Sequence, residues 1–225
     1  MKLVFQLIVI LCCVFSNNTV NASQGPTDSL IVVMGEDSFP YQFVDNEGEA
    51  TGLLVDLWKE WGKRTDTSLV FVARHWNESL AQLQQGNAQV HIGMGKTPER
   101  EQLFDFADPI ADVRTYLYLH KSLQGKKNIK ELVPYQIGIV SGSSHEAELR
   151  RIEPALVFKY YESREKLLAG VAAGDTVVFA GLDGYLRDPS SNQTIAANFP
   201  LNIRIPIKAM QFVPAVMKHI CAPAR

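Results

Sequence analysis

Cysteine is scarce in this chain: among 225 residues there are three, Cys12, Cys13 and Cys221. The first two fall in the opening apolar stretch, so a chain that loses this stretch keeps Cys221 alone and forms no internal disulfide. Basic charge is not in excess either. Lys plus Arg number 22 against 24 Asp plus Glu, a net charge of −2, which leaves no electrostatic footprint for a nucleic acid partner. The uncharged apolar run from Leu3 to Phe15 is about 13 residues, short of the ~20 that span a bilayer as a helix. Metal-ligand spacing is missing, and no Gly-rich phosphate motif follows the first expected strand. Ser143-Ser144-His145 lacks the flanking glycines of a nucleophile elbow. No metal, no cofactor and no hydrolytic catalysis are therefore expected.

What is present begins with an export signature. Lys2, the apolar run, a polar patch Ser16-Asn17-Asn18-Thr19 and then Val20-Asn21-Ala22 have the charged, apolar and small-residue regions of a secretory signal peptide. Residues 1–22 are read as that signal, with cleavage after Ala22, and 23–29 as a linker. Leu11 and Cys12, which precede Cys12 and Cys13, are not the small residues that a lipoprotein signal needs. The remaining length, with 46% hydrophobic and 20% charged residues overall, suits one large domain or two lobes built on a hydrophobic core.

Strand and helix patterns then alternate. Leu30–Met34 is an apolar run typical of a strand buried on both faces. Leu53, Leu54, Leu57, Trp58 and Trp61 have helical spacing. Leu69–Ala73 alternates as a strand, Asn77 is placed to cap a helix ending near Gly86, and Val90–Gly93 is the next strand. A second alternating unit runs from Val113 to Ala180. In it Tyr116 and Tyr118 lie on one face of a strand and Leu117 and Leu119 on the other. Further strands are expected at Tyr135–Val140, Leu156–Tyr161 and Thr176–Ala180. Helices are expected near Ile129–Leu132, from Ser141–Ser144 to Ile152, and from Ser163 to Gly174. Such alternation argues for parallel sheets with helices on their faces. The organisation expected is lobe 1 at 30–110, lobe 2 at 111–200 and a return crossing at 201–225. Loops starting at Gly35, Gly93 and Ser141 would converge at the carboxyl ends of the strands.

The most pointed stretch is Gly93–Asp108, Gly-Met-Gly-Lys-Thr-Pro-Glu-Arg-Glu-Gln-Leu-Phe-Asp-Phe-Ala-Asp. Glycines let a ligand reach backbone N–H groups, Thr97-Pro98 turns the chain, and Arg100 can hold a carboxylate through two parallel hydrogen bonds. The alternative is a surface turn in which Arg100 pairs with Glu99, Glu101 or Asp105.

From about Leu30 to Asp188 the sequence resembles the family 3 extracellular solute-binding proteins. The carriers are Phe39-Pro40-Tyr41-Gln42-Phe43 followed by Asp45-Asn46-Glu47-Gly48, Gly52–Leu57, Leu80–Gly86, Gly93–Pro109 and Ile137–Ser144, all in the family's order. The resemblance implies an α/β type II periplasmic binding protein fold: two α/β lobes, a hinge and a central cleft. It implies that Arg100 clamps a ligand carboxylate, with Gly93, Gly95 and Thr97 as loop donors. Ser143 and Ser144 would close on it from a helix N-terminus. Phe39 would pack on the ligand, with Glu36 and Trp76 as further walls; the alternative is that Phe39 and Trp76 are core and Ser143 merely a cap. Many amino-acid binders carry hydroxyl residues where this chain has Gly93 and Gly95. Asp183 is the only acidic candidate for a ligand ammonium in the second lobe.

The function expected is a monomeric periplasmic protein that captures a small polar or carboxylate-bearing solute and hands it to a membrane permease. A sensing domain of a membrane signalling protein, such as a histidine kinase or diguanylate cyclase, is the alternative. A dehydratase acting on cyclohexadienyl substrates is a third reading, with His75, His91, His120, His145 or Glu36 as acid or base. The resemblance also implies helices that finish the first lobe, whereas this sequence stops at Arg225; an exposed apolar face and low solubility are expected from that.

Overall fold

The computed structural model describes residues 29–187 and 193–218. The signal peptide and its cleavage position, nearly all of the expected linker, and all three cysteines lie outside them. The chain starts with β1 (Leu30–Gly35), a small sheet of β2 (Asp37–Ser38), β3 (Gln42–Val44) and β4 (Ala50–Thr51), and α1 (Leu53–Thr65). Next come β5 (Leu69–Arg74), α2 (Trp76–Gln84), β6 (Val90–Gly95), α3 (Pro98–Leu103), β7 (Phe104–Phe106) and β8 (Ala111–Val113). The second half holds β9 (Thr115–Leu119), β10 (Gln136–Val140), α4 (Ser144–Ile152), β11 (Val157–Tyr161) and α5 (Arg164–Ala172). It ends with β12 (Val178–Leu182), α6 (Gln193–Asn198), β13 (Arg204–Pro206) and β14 (Met210–Met217).

These elements form two lobes. The first sheet has the order β5-β1-β6-β14-β7, with β8 also on β14; the second is β11-β10-β12-β9-β13. β1 runs parallel to both β5 and β6, and Val32, Val33 and Met34 are fully buried, as a strand covered on both faces requires. The second sheet repeats this with β10 parallel to β11 and β12. The carboxyl ends of both parallel sets meet where the lobes face each other. The lobes are joined by Arg114, between β8 and β9, and by the return from β13 to β14. These two crossings are hydrogen-bonded together, Ile207 N–H donating to the Thr115 carbonyl at 2.9 Å. β14 then inserts antiparallel beside β6.

Local chemistry accounts for the helices that position the cleft. In α1, Leu54 and Val55 are buried and Lys63 and Arg64 sit in the last turn, where cations suit the helix dipole. Trp58 Nε1 donates to the Ile92 carbonyl at 2.9 Å, while Leu53, Leu57 and Trp61 face outward. Thr97-Pro98 begins α3 instead of a simple turn. The Thr97 hydroxyl accepts from Arg100 N–H and Pro98 occupies the first turn, a helix-start pattern that resembles a turn in sequence. α2 begins at Trp76, with His75 rather than Asn77 at the cap position. The small β2-β3-β4 sheet and α6 were not anticipated, because segments of two to six residues are too short for periodicity to register.

The alternation expected around Tyr116 is present. Leu117 and Leu119 pack with Ile137, Ile139 and Leu149 on one face of the second sheet. Tyr118, Phe179 and Leu167 on the other face belong to a buried cluster that continues into the first lobe through Trp76, Met34 and Phe212. The cleft is thus floored by continuous apolar packing.

Candidate functional site

Between the lobes lies a cavity of about 40 Å³ whose wall includes Asp37, Ser38, Trp76, Gly95, Val140, Ser143 to His145, Leu182, Tyr185, Met210 and Phe212. It collects the carboxyl ends of β1, β5, β6, β10 and β12, where a doubly wound sheet places its ligand. A wider groove of about 980 Å³ opens beside it along α3, the first turns of α4 and the returning strand, sharing Ser144, His145 and Met210.

Arg100 stands at the edge of this cavity and is 7% exposed. Its Nη1 donates to the Gly95 carbonyl, its Nη2 donates to the Gly142 carbonyl of the other lobe at 2.8 Å, and its guanidinium lies 5.1 Å from the Trp76 ring. Trp76 Nε1 donates to the same Gly142 carbonyl at 3.0 Å, so one oxygen of lobe 2 is gripped by two side chains of lobe 1. Gly142 can present that carbonyl because its φ is +70°, and a Cβ there would overlap Asn77 Oδ1. Burial lowers the Arg100 pKa to about 10; it remains charged at neutral pH, with no carboxylate in ion-pair contact among the described residues. Glu101 pairs with Lys96 at 2.8 Å instead.

Two buried imidazoles flank this cation. Burial, reinforced by the Arg100 charge, lowers His91 to about 3 and His145 to about 4. Both ring nitrogens of His91 are engaged: Gly93 N–H donates to Nδ1 and Ser79 Oγ lies 3.2 Å from Nε2. Nδ1 therefore accepts, and Nε2 carries the proton. His145 Nε2 and Ser143 Oγ, by contrast, are buried without a hydrogen-bond partner among the described residues. They lie at the start of α4, whose first turn has no side-chain cap. A buried cation, an uncapped helix start and two buried polar atoms without protein partners among the described residues are groups suited to an anion.

The comparisons agree with this geometry. Residues 30–199 match the family described as bacterial extracellular solute-binding proteins, family 3. The chain belongs to that family. A relative, the amino-acid-binding protein AabA of Dichelobacter nodosus, is 26% identical over 152 residues, 65% of this chain and 59% of that protein. The chain spans about three fifths of the length of the curated relatives it matches. Among solved structures, holo ArgBP from T. maritima superposes with a TM-score of 0.69 at 21% identity, covering 84% of this chain and 83% of that one. A histidine kinase sensor domain with similarity to periplasmic binding proteins gives 0.72 at 17% identity, covering 86% and 84%. At such identities these two establish the shared two-lobed fold.

Within this family 3 fold, the residues nominated from sequence fall into two groups. Trp76, Gly95, Ser143 and Ser144 line the cavity and Arg100 adjoins it. Ser144 Oγ donates to Met210 Sδ at 3.5 Å. Gly93 is set back in the core, where its carbonyl accepts from Gln42 Nε2 at 3.0 Å; that buried glutamine also accepts from Gly35 N–H. Thr97 is occupied as a helix cap and faces the outer groove. Phe39 precedes a cis peptide bond to Pro40 and packs edge-on against Phe43 at 5.1 Å, outside the cavity wall. Glu36 pairs with His75, and burial raises its pKa. Asp183 is bound by Arg204 at 2.5 Å, and Arg204 in turn lies 3.7 Å over the Tyr116 ring. His120 is bonded to Ser122 at 2.8 Å. Sequence reading missed Asp37, Gly142, Tyr185 and Met210. Only Asp37, one residue after Glu36 in the polar loop, carried a usable signal.

Proposed function

We propose that this chain captures a small carboxylate-bearing, amino-acid-like solute between its lobes, as a monomeric binding protein of the periplasm exported by a cleaved signal peptide. The observation that carries this reading is the buried, charged Arg100, held among the described residues only by carbonyls and an indole at the meeting line of the two lobes. A carboxylate is the partner that would neutralise it, through the bidentate geometry a guanidinium favours. Ser143, Ser144, Gly95 and the α4 N-terminus complete the clamp; Trp76 positions Arg100. Binding would exchange the Gly142 contact for ligand contacts, and the paired crossings at Arg114 and Ile207–Ala209 would serve as the hinge. The loaded protein would then hand its solute to a membrane permease. Its role is to bind rather than to catalyse: His91 has both nitrogens committed, and His145 lies beside a buried cation that disfavours protonation.

A second reading is favoured by the fold shared with the histidine kinase sensor domain: the same cleft would report its ligand to a signalling module. A permease and ATPase encoded beside the gene would support uptake, and a signalling domain in the same reading frame would support sensing. The binding reading itself is tested by thermal-shift titration with amino acids, carboxylates and polyamines, repeated on Arg100→Ala. A ligand at a hundredfold excess over Kd stabilises by roughly 2.7 kcal/mol, enough to register. If a carboxylate shifts wild type and variant equally, the clamp is misassigned.

A further inference from the structure

The acidic groups near the cleft are already committed to protein partners. Asp37 is the one carboxylate among the residues lining the cavity. Its Oδ2 accepts from the Arg164 backbone N–H at 3.0 Å, and the Arg164 guanidinium acts on it electrostatically. Asp183 is held by Arg204 at 2.5 Å and approached by Arg187 at 3.9 Å. Glu36 is turned to His75. Nor is there room for a further acid at the end of β12. A Cβ on Gly181 would run into the Tyr185 ring, and Tyr185 is buried against the cavity. The ring thus fills the volume that an acidic side chain at this position would need.

The opposite preference is well supplied. Arg100 brings a full positive charge beside the cavity, and Ser143 and His145, whose Oγ and Nε2 are buried without a hydrogen-bond partner among the described residues, are among the residues of its wall. The remaining wall is mostly apolar, with Trp76, Val140, Leu182, Met210 and Phe212 beside the hydroxyl residues Ser38, Ser144 and Tyr185. The cavity is small, about 40 Å³, so only a short chain fits without wide opening. An ammonium brought here would meet the Arg100 charge and a single carboxylate, Asp37, whose Oδ2 already accepts from the Arg164 N–H and whose charged form burial disfavours, and would be desolvated without a free ion-pair partner.

We infer that the cleft selects a short-chain carboxylate that lacks an ammonium group, a 2-oxo or plain aliphatic acid, over the α-amino acid of the same carbon skeleton. The inference rests on the cleft reading above and sharpens it from carboxylate to ammonium-free carboxylate. Its origin is the pairing of Asp37 with Arg164 and the seating of Tyr185 on Gly181.

The test is calorimetric titration of the purified full chain with matched sets: L-alanine, pyruvate and propionate; L-valine, α-ketoisovalerate and isovalerate. Wild type and Arg100→Met are compared, each checked for folding by circular dichroism. The expected result is that the oxo or plain acid binds at least tenfold more tightly than its amino acid, and that Arg100→Met loses about tenfold to hundredfold, the range for a hydrogen bond to a charged group. Arg164→Gln, which removes the guanidinium charge acting on Asp37 while keeping the backbone N–H bond, should narrow the preference by improving the amino acid. If the amino acids bind as tightly as their oxo analogues or more so, and depend on Arg100, the ammonium-free inference falls while the cleft reading stands. If no member of either set binds, or Arg100→Met changes nothing, the cleft reading falls and takes the inference with it. Should Arg164→Gln fail to fold, the wild-type comparison decides alone.

Discussion

Acidification from pH 7.5 to 5.0 should destabilise this protein through two buried histidines. His91 and His145 are lowered by burial to about 3 and about 4, so at pH 5.0 both stay neutral in the folded state. In the unfolded chain they titrate near the ordinary ~6.5 and are protonated at pH 5.0. The unfolded state then binds more protons, and stability that is complete above about pH 6.5 is lost as pH falls toward the folded values. At pH 5.0, about 1.5 units below the unfolded value, each imidazole costs about 2 kcal/mol at 1.36 kcal/mol per unit. The pair costs about 4 kcal/mol, a large part of the 5–15 kcal/mol typical of a domain. Burial raises Asp37 and Glu36, and this works in the opposite direction. The wild-type slope is therefore a mixture, and the difference between variants isolates the histidines. Urea unfolding at both pH values, on wild type and His145→Gln, should show the pH-dependent loss smaller by about 2 kcal/mol in the variant. An unchanged pH dependence in His145→Gln would refute a neutral, enclosed imidazole at the cleft.

Two further outcomes follow from the way the lobes touch. A Cβ on Gly184 would overlap the Phe39 carbonyl and come within 2.7 Å of Pro40 Cδ, so Gly184→Ala should hold the lobes apart at the typical overpacking cost of about 1–3 kcal/mol. Small-angle scattering should report a larger radius of gyration together with a melting temperature lowered by several degrees; a lower melting temperature with no change in shape would count against opening. Asp183→Asn should lower stability by about 1 kcal/mol, since the Arg204 pair is partly buried and such pairs exceed the exposed range. It should leave ligand affinity within about twofold by titration; a much larger affinity loss would place Asp183 in the binding site after all.

Much of the architecture was legible along the chain, because burial on both faces of a parallel strand writes itself as an apolar run and a helix writes its buried face at 3.6-residue spacing. Leu30–Met34, Leu53–Trp61 and the Tyr116–Leu119 alternation all read correctly for that reason. Thr97-Pro98 did not, since a turn and a capped helix start use the same residues. Asp183 looks free for an ammonium in the sequence because its partner Arg204 lies 21 positions later and its guanidinium reaches it across the second sheet. No local pattern encodes a partner that distant.

The family, the two alternating units and the helix start at Ser143-Ser144 are therefore properties of the sequence itself, because they depend on spacing, punctuation and residue type within short windows. Which groups remain free to receive a ligand was decided only by tertiary packing. Gly142 must meet Trp76 and Arg100, Asp37 must meet Arg164, and Tyr185 must settle on Gly181 before the cleft has a charge and a shape. Those meetings join residues as many as 127 positions apart, and they exist only once the two crossings between the sheets bring the strand ends face to face.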